Sequence, residues 1–282
     1  MTQITIIGLG QIGASIGMAL KDNKSIKRVG YDKDAAVSKA AQSLEVVDEI
    51  KSLPAAVKDS AIVVLCLPLG EIRETLRHIG PWLADNAIVM DTAPIKSGVT
   101  QWAREFIPTG RFYVGLVPGI HSDYIASLEF GLNAAMPDLF KKGIFAVDVP
   151  PNTPENIVNL ALDFCRLLGA KPMLTDMLES DGLMTSVHVL PQLTAAALLN
   201  ATIGQPGWQE ARKLAGRPFA GVTMRLNEAD KDREAWLDER GEAAWLKEGG
   251  DQEDMPDFRR LIGQTLFGST VFERNAKAKK KK

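Results

Sequence analysis

The sequence predicts an α/β protein: a doubly wound, mostly parallel sheet followed by a second, all-helical domain. Three observations carry this. Short apolar strand patterns alternate with helical patterns from Thr2 to Thr175. One of them, Ala61-Ile62-Val63-Val64-Leu65-Cys66-Leu67, is continuously apolar, as a parallel strand covered on both faces must be. From Leu178 onward the strand pattern stops and only helical spacing remains. The boundary is placed near Asp176, giving domains 1–176 and 177–282.

The first strand, Gln3 to Ile7, runs into Gly8-Leu9-Gly10-Gln11-Ile12-Gly13 and then an apolar helix to Leu20. A second strand, Arg28-Val29-Gly30-Tyr31, ends at Asp32. A glycine motif of this type between strand and helix, with an acid closing the next strand, is the dinucleotide-binding fingerprint of a Rossmann-type domain. Gly8 permits the tight turn, Gly10 leaves room for a pyrophosphate, and Gly13 lets helix and strand approach. The N–H groups at Gln11, Ile12 and Gly13 would meet the pyrophosphate at the positive end of the helix. Asp32 accepts ribose hydroxyls and repels a 2′-phosphate, and no arginine follows it, so the expected cofactor is NAD rather than NADP.

Further elements follow in order. Asp34 to Leu44 reads as a helix, Val46-Val47 as a short strand, and Leu53 to Lys58 as a helical turn or two. Glu71 to Ile79 is helical, Ala87 to Met90 is a strand ending in Asp91, and Lys96 to Phe106 is a helix. Phe112 to Val114 is a strand, and a long irregular stretch runs from Gly115 to Leu139. Gly143 to Val149 is a strand, Asn156 to Leu168 a helix closed by Gly169, and Met173 to Thr175 an edge strand. Leu183 to Ala201 reads as one long apolar helix containing Pro191, followed by helical stretches around 208–214, 233–247 and 258–272.

Composition excludes several classes. The chain of 282 residues is 45% hydrophobic and 24% charged, with net charge −2, which offers no electrostatic case for nucleic acid. The terminal run from Lys277 to Lys282 reads as a solvated tail. Cys66 and Cys165 are expected as reduced core residues rather than a disulfide or metal pair. The first strand begins at once without a basic leader, and no uninterrupted apolar run reaches transmembrane length, so a cytoplasmic protein without membrane contact is expected. No metal site is read.

In a doubly wound sheet ligands lie beyond the carboxyl ends of the strands. There the glycine motif is joined by Leu67-Pro68, by Asp91, and by the loop from Gly115 to Ser122. Hydride chemistry on a small carboxylate needs a proton acceptor and a cation. His121, on a cleft-side loop beside Asp123, is the general-base candidate, against a loop histidine bonded to backbone. His188, on the long helix with Gln192 one turn on, is a substrate ligand or a satisfied core residue. Lys96 reaches the cleft or solvent. Arg217 and Arg225 are candidate carboxylate anchors or surface charge. The apolar helix from Leu183 to Ala201 needs a covering partner, so a homodimer through the helical half is expected.

Taken together, the order of motifs resembles the prephenate (or arogenate) dehydrogenase family. The resemblance rests on Gly8 to Ser15, Gly30-Tyr31-Asp32, Asp91 with Lys96, Tyr113-Val114-Gly115 ahead of Pro118, Leu139-Phe140, Leu168-Gly169-Ala170, and Leu190-Pro191. It implies a helical C-terminal dimerisation domain and NAD(P)-dependent oxidative decarboxylation of a cyclohexadienyl substrate in tyrosine biosynthesis. At the substrate positions this chain departs from the family pattern. Pro94 stands where a serine is expected, Val117 where a catalytic histidine is expected, and Val189 and Gln192 where two helix histidines are expected. Met224 stands for an arginine, with Arg225 one place later. Three readings stay open: a dehydrogenase of prephenate dehydrogenase type using His121, His188, Lys96 and Arg225, a β-hydroxyacid-type dehydrogenase on another small carboxylate, and a non-catalytic NAD-binding dimer.

Overall fold

The computed structural model describes residues 1–125, 129, 131–203, 205–216, 219, 222 and 223. The chain divides into two compact units, Met1–Asp232 and Arg233–Lys282, and every described residue lies in the first. The helices expected around 233–247 and 258–272, the lysine tail, Arg217 and Arg225 lie outside the described residues.

The elements run β1 (Thr2–Ile7), α1 (Gln11–Ala19), β2 (Ile26–Tyr31), α2 (Ala35–Ser43), β3 (Glu49–Ile50), α3 (Leu53–Val57), β4 (Ile62–Leu65) and α4 (Leu69–Ile79). They continue with β5 (Ile88–Asp91), α5 (Ser97–Phe106), β6 (Phe112–Pro118), β7 (Ile144–Asp148), α6 (Glu155–Leu167) and β8 (Lys171–Thr175). Helices α7 (Met177–Met184), α8 (Leu190–Ile203) and α9 (Trp208–Ala211) follow. One sheet takes the order β3-β2-β1-β4-β5-β6-β7-β8. It is parallel from β3 to β6, β7 is antiparallel to β6, and β8 runs parallel to β7. This is the mostly parallel, doubly wound sheet that the alternating pattern predicts.

The central strands are apolar on both sides because each face carries its own core. Ile4, Ile6, Val64, Met90, Val114 and Leu116 pack with Phe140 and Phe145 and with apolar residues of α1 and α6. Ile7, Val63, Leu65 and Val89 pack on the other face with Ile72, Leu76 and Val99 of α4 and α5. Phe140 and Phe145 meet edge to face at 5.1 Å, a favourable quadrupole arrangement.

Val46 and Val47 are buried but not a strand; the short strand is Glu49–Ile50. The carbonyls of this segment are diverted to a buried cation. Arg28 Nη1 donates to Gly17 O, Glu45 O and Val46 O, and its remaining nitrogens bind Asp48. With its carbonyl on this guanidinium and its N–H on Ala41 O, Val46 takes no part in the ladder.

The long apolar helix is longer than expected and changes pitch. Helical turns run unbroken from Met177 to Ile203, with a π segment at Thr185–Val189 directly ahead of Pro191. Proline has no N–H and crowds the carbonyl four residues back, and a wider turn accommodates both. At 27 residues, with a mean hydropathy of 1.3 over an 18-residue window, this helix is long and apolar enough, by length and composition alone, to cross a membrane. The expectation that no uninterrupted apolar run reaches such a length stands for this helix, which Glu179, Asp181, His188 and Gln192 interrupt.

The turn from β1 into α1 is fixed by contact. Gly8 has φ +91°, and a Cβ on it would lie 2.3 Å from Cys66 O. A Cβ on Gly13 would lie 1.9 Å from Gly8 O, so only glycine lets α1 start this close to the sheet. Gly13→Ala should therefore lower stability by roughly 1–3 kcal/mol, as overpacking against backbone does. A thermal melt of the variant matching that of the unchanged protein would contradict this packing.

Candidate active site

The glycine turn opens a cradle. Among the described residues nothing lies within 4 Å of a Cβ placed on Gly10, so they leave the space in front of the turn open. No side chain caps α1, whose first turn carries no acid, and the N–H groups of Gln11, Ile12 and Gly13 face this space without the usual partner. Asp32 stands at the tip of β2. One carboxylate oxygen accepts the Leu9 N–H at 2.8 Å and the other the Asp34 N–H at 2.9 Å. Each oxygen keeps a second lone pair, so the same bonds that hold the carboxylate leave it able to accept two hydroxyls. A surface depression of about 460 Å³ beside it is lined by Tyr31, Ser38, Lys39 and Ile50. Empty cradle, helix N-terminus and ribose acceptor fit a dinucleotide.

A second feature closes over this cradle and is not legible in the sequence. The segment after β6 folds back onto α1, where Gln11 Nε2 donates to Ala134 O at 3.3 Å. The fully buried Ser15 Oγ accepts the Met136 N–H at 3.0 Å. Leu67 and Pro68 follow β4 at the same end of the sheet, where Pro68 leads directly into α4. Cys66 next to them is a free thiol that burial pushes up to about 12, as an inert core residue; Cys165 is raised likewise.

Asp91 does not present its carboxylate to this cradle. It is fully buried, and its carboxylate accepts the Ala93 N–H at 2.8 Å, Lys96 Nζ at 2.8 Å and the Tyr113 hydroxyl at 2.7 Å. Lys96, expected in the cleft or in solvent, is in neither. It is fully buried, and Nζ also donates to Leu116 O at 2.7 Å and Asp91 O at 3.3 Å. Burial pushes this ammonium down, and the Asp91 charge and hydrogen bond oppose the shift. Burial, then the Asp91 charge, raises Tyr113 well above the ordinary phenol range, so it remains a donor.

Helix α7 is tied into the same place. Asp181 accepts the backbone N–H of Lys96 at 2.5 Å and that of Ser97 at 3.1 Å, so an acid from the distant helix caps α5. Asp148 completes the group. It pairs in register with Gly115, which in turn pairs with Asp91, so the three lie in one row at the carboxyl end of the parallel strands. Gly115 has no Cβ because one would meet Lys96 Cδ at 2.9 Å and Asp148 Cβ at 3.1 Å. Asp148 is 2% exposed, and its Oδ2 has no hydrogen-bond partner. Burial raises its carboxyl to about 6; Lys96 opposes the rise, and Asp91, Asp181 and Asp176 add to it. Tyr113, Asp148 and Asp181 escaped the sequence reading. The available signal was an acid at the end of an otherwise apolar strand, which Asp148 shares with Asp91.

The two cleft histidines sit differently. His121 follows β6, half-buried, and its Nδ1 accepts the Asp123 N–H at 3.2 Å. A neutral ring so bonded carries its proton on Nε2. His188 lies within the π segment, its Nε2 3.0 Å from the Gln192 amide nitrogen. No group of three or more histidine, cysteine or acidic residues suited to a metal occurs among the described residues.

A family model described as prephenate dehydrogenase, nucleotide-binding domain, matches residues 16–174. Prephenate dehydrogenase of Bacillus subtilis (strain 168) is 27% identical over 204 residues, which are 71% of this chain and 53% of that protein. Cyclohexadienyl dehydrogenase of Zymomonas mobilis is 26% identical over 204 residues, 71% of this chain and 67% of that protein. The chain thus spans about half the length of the Bacillus relative. Among solved structures, prephenate dehydrogenase from A. aeolicus in complex with hydroxyphenyl propionate and NAD+ has a TM-score of 0.72 at 20% identity, over 99% of this chain and 97% of that one. Synechocystis arogenate dehydrogenase has a TM-score of 0.65 at 21% identity, over 99% of both chains. At these identities the structures establish a shared fold.

The raised Asp148 carboxyl has a consequence for stability. Its unfolded pKa is 3.8 and its folded pKa about 6, so the native state binds the extra proton between these values. Stability therefore rises as pH falls from above 6 toward 4, and the full penalty stands at pH 8. Asp148→Asn should stabilise the protein by on the order of 1–3 kcal/mol at pH 8 and by progressively less toward pH 4.5. Denaturant titrations at both pH values check the sign; a variant less stable than the unchanged protein at pH 8 would contradict it.

Proposed function

The chain belongs to the prephenate dehydrogenase family, and we propose that it is an NAD-dependent dehydrogenase acting on prephenate or arogenate. The observation that carries this is the family match over the nucleotide-binding domain together with an intact dinucleotide cradle at Gly8, Gly10, Gly13 and Asp32. The likeness to a structure that holds hydroxyphenyl propionate and NAD+ supports the same cofactor and an aromatic-carboxylate product. NAD accepts hydride when bound. Around it the chain supplies the pyrophosphate turn, the Asp32 acceptor for ribose, and a wall formed by the carboxyl ends of β4, β5 and β6.

On this reading Leu67 and Pro68 flank the cofactor, and Lys96 positions the wall rather than touching substrate. His121 and His188 stand as polar groups toward the substrate side, and Arg225 as its carboxylate anchor. Residues 177–282 would form the helical substrate and dimerisation domain. The exposed Leu178, Leu183, Val187 and Leu190 on the long helix support a homodimer through this half. The tie of Asp181 to α5 supports a protein partner rather than lipid as the cover, because the helix begins docked on the nucleotide-binding fold. A cytoplasmic place in tyrosine biosynthesis follows from the same family reading.

Two outcomes are expected. Incubated with NAD+ and either prephenate or arogenate, the protein should produce NADH, read by its absorbance, and calorimetry should show NAD binding at least about tenfold tighter than NADP, roughly 1.4 kcal/mol. Absence of NADH with both substrates, despite NAD binding, would move the reading to a non-catalytic nucleotide-binding dimer. Light scattering at micromolar concentration should give twice the chain mass; a monomeric mass would remove the dimer.

A further inference from the structure

We propose that Asp148 is the group that takes up the substrate hydroxyl proton in this chain, a reading that rests on the dehydrogenase activity proposed above. The acid/base groups near the carboxyl end of the sheet can be compared by what their lone pairs already do. Each oxygen of Asp32 and of Asp181 already accepts one backbone N–H, and the lone pairs left on Asp32 are those that would meet ribose. Asp91 accepts Lys96 Nζ and the Ala93 N–H on Oδ1 and the Tyr113 hydroxyl on Oδ2. His121 spends its Nδ1 lone pair on the Asp123 N–H, and His188 meets Gln192 through Nε2. Asp148 alone among these has a carboxylate oxygen, Oδ2, that is buried with no hydrogen-bond partner.

Its position suits the task. Residues of one strand alternate between faces, so Tyr113, Gly115 and Val117 share a face of β6. Asp148 is paired with Gly115, and Ala146 with Val117, on that same face. The wall near the end of β6 is thus apolar at Val117 and Ala146, and the first acid behind it is Asp148. Among the described residues, the charged groups set against Asp148 are Lys96 from the start of α5, Asp91 from β5, Asp181 from α7 and Asp176 at the cap of α7, with the Tyr113 phenol on β6. Lys96 steadies the ionised form while burial and the three acids disfavour it. A carboxyl brought near neutrality in this way is suited to general-base work. Thr100 Oγ1 and Ser180 Oγ are the other buried side-chain atoms without partners among the described residues, and they come from α5 and α7, the helices bearing the Lys96 and Asp181 contacts.

The step balances. The carbinol C–H pair leaves as hydride to NAD+, the O–H bond breaks with its proton passing to Asp148, and the ring carbon becomes a carbonyl. The C–C pair released by departing CO2 closes the aromatic ring, and the proton returns to oxygen to give the phenol.

The test is Asp148→Asn in the full chain, with NADH formation from prephenate and arogenate followed from pH 5 to 9. NADH binding and hydroxyphenylpropionate binding are measured alongside over the same range. The proposal expects kcat to fall by about 10²-fold or more, the kcat/KM limb near pH 6 to vanish, and NADH affinity to stay unchanged. Because the variant is expected to be more stable at pH 8, lost activity there would not be lost folding, and a melt run in parallel checks this. If the unchanged protein turns over and Asp148→Asn keeps both its rate and its acid limb, the proposal is overturned while the dehydrogenase reading stands. If the unchanged protein turns over neither substrate, that reading fails and ligand binding decides. A pH step near 6 in hydroxyphenylpropionate affinity that the variant lacks upholds Asp148 as the proton-exchanging group, and its absence overturns it.

Discussion

The Lys96 ammonium is the interaction on which the far side of the sheet depends. A cation with no exposure costs several kcal/mol to desolvate, and it persists only when every proton finds an acceptor. Here Asp91 provides a carboxylate and a carbonyl, and Leu116 a second carbonyl. Those acceptors sit on β5 and β6, so one side chain pins two neighbouring strands where they end. The need for room explains Gly115, whose missing Cβ leaves the space that Lys96 Cδ and Asp148 Cβ approach. Tyr113 adds a donor to the second oxygen of Asp91. Removing the ammonium would leave Asp91 and Asp148 facing each other without a counter-charge.

The same residue links the nucleotide-binding fold to the helix that follows it. The backbone N–H of Lys96 opens α5 and is capped by Asp181 from α7, while its side chain holds the strands. Position and orientation of α7 are thereby tied to the row Asp91, Gly115 and Asp148. The helix is anchored at its first turns, and beyond them Leu183, Val187 and Leu190 are exposed. The π segment lies just past that anchor, where Pro191 forces a wider turn, and it is there that His188 sits. Local backbone chemistry, a proline in a helix, thus sets where a polar side chain leaves the apolar surface.

How much of this was legible in the sequence follows from whether backbone or side chains carry the constraint. The glycine turn is a backbone demand: Gly13 lies where any Cβ would strike Gly8 O, and such a demand is written in residue type alone. The sheet order follows equally from periodicity, since buried parallel strands must be apolar throughout. The strand misplaced at Val46 failed because its carbonyls went to Arg28, a partner far off in sequence. Lys96 was named, but its burial was not foreseeable. A lysine at a helix start reads as solvated unless one knows that two strand ends and a glycine surround it. Asp148 and Asp181 were missed for the same reason: their meaning comes from register and docking, which join residues distant in sequence.

This division also bears on how the two halves of the cleft differ from the family pattern. The turn that would hold a dinucleotide offers N–H groups and a single acid, so it tolerates almost no change in residue type. Contacts to a substrate would be made by side chains, and the roles of side chains can be redistributed. Pro94 and Val117 carry no group that can exchange a proton, and the sheet face they adjoin is apolar as far as Ala146. Removing polar groups from a wall deepens the desolvation of whatever acid lies behind it. For Asp148 that means a carboxyl raised toward neutrality, where an exposed one would sit near its ordinary value. An apolar wall and a proton-exchanging carboxylate beneath it are therefore compatible parts of one site, with Lys96 preventing the acid from being neutralised outright.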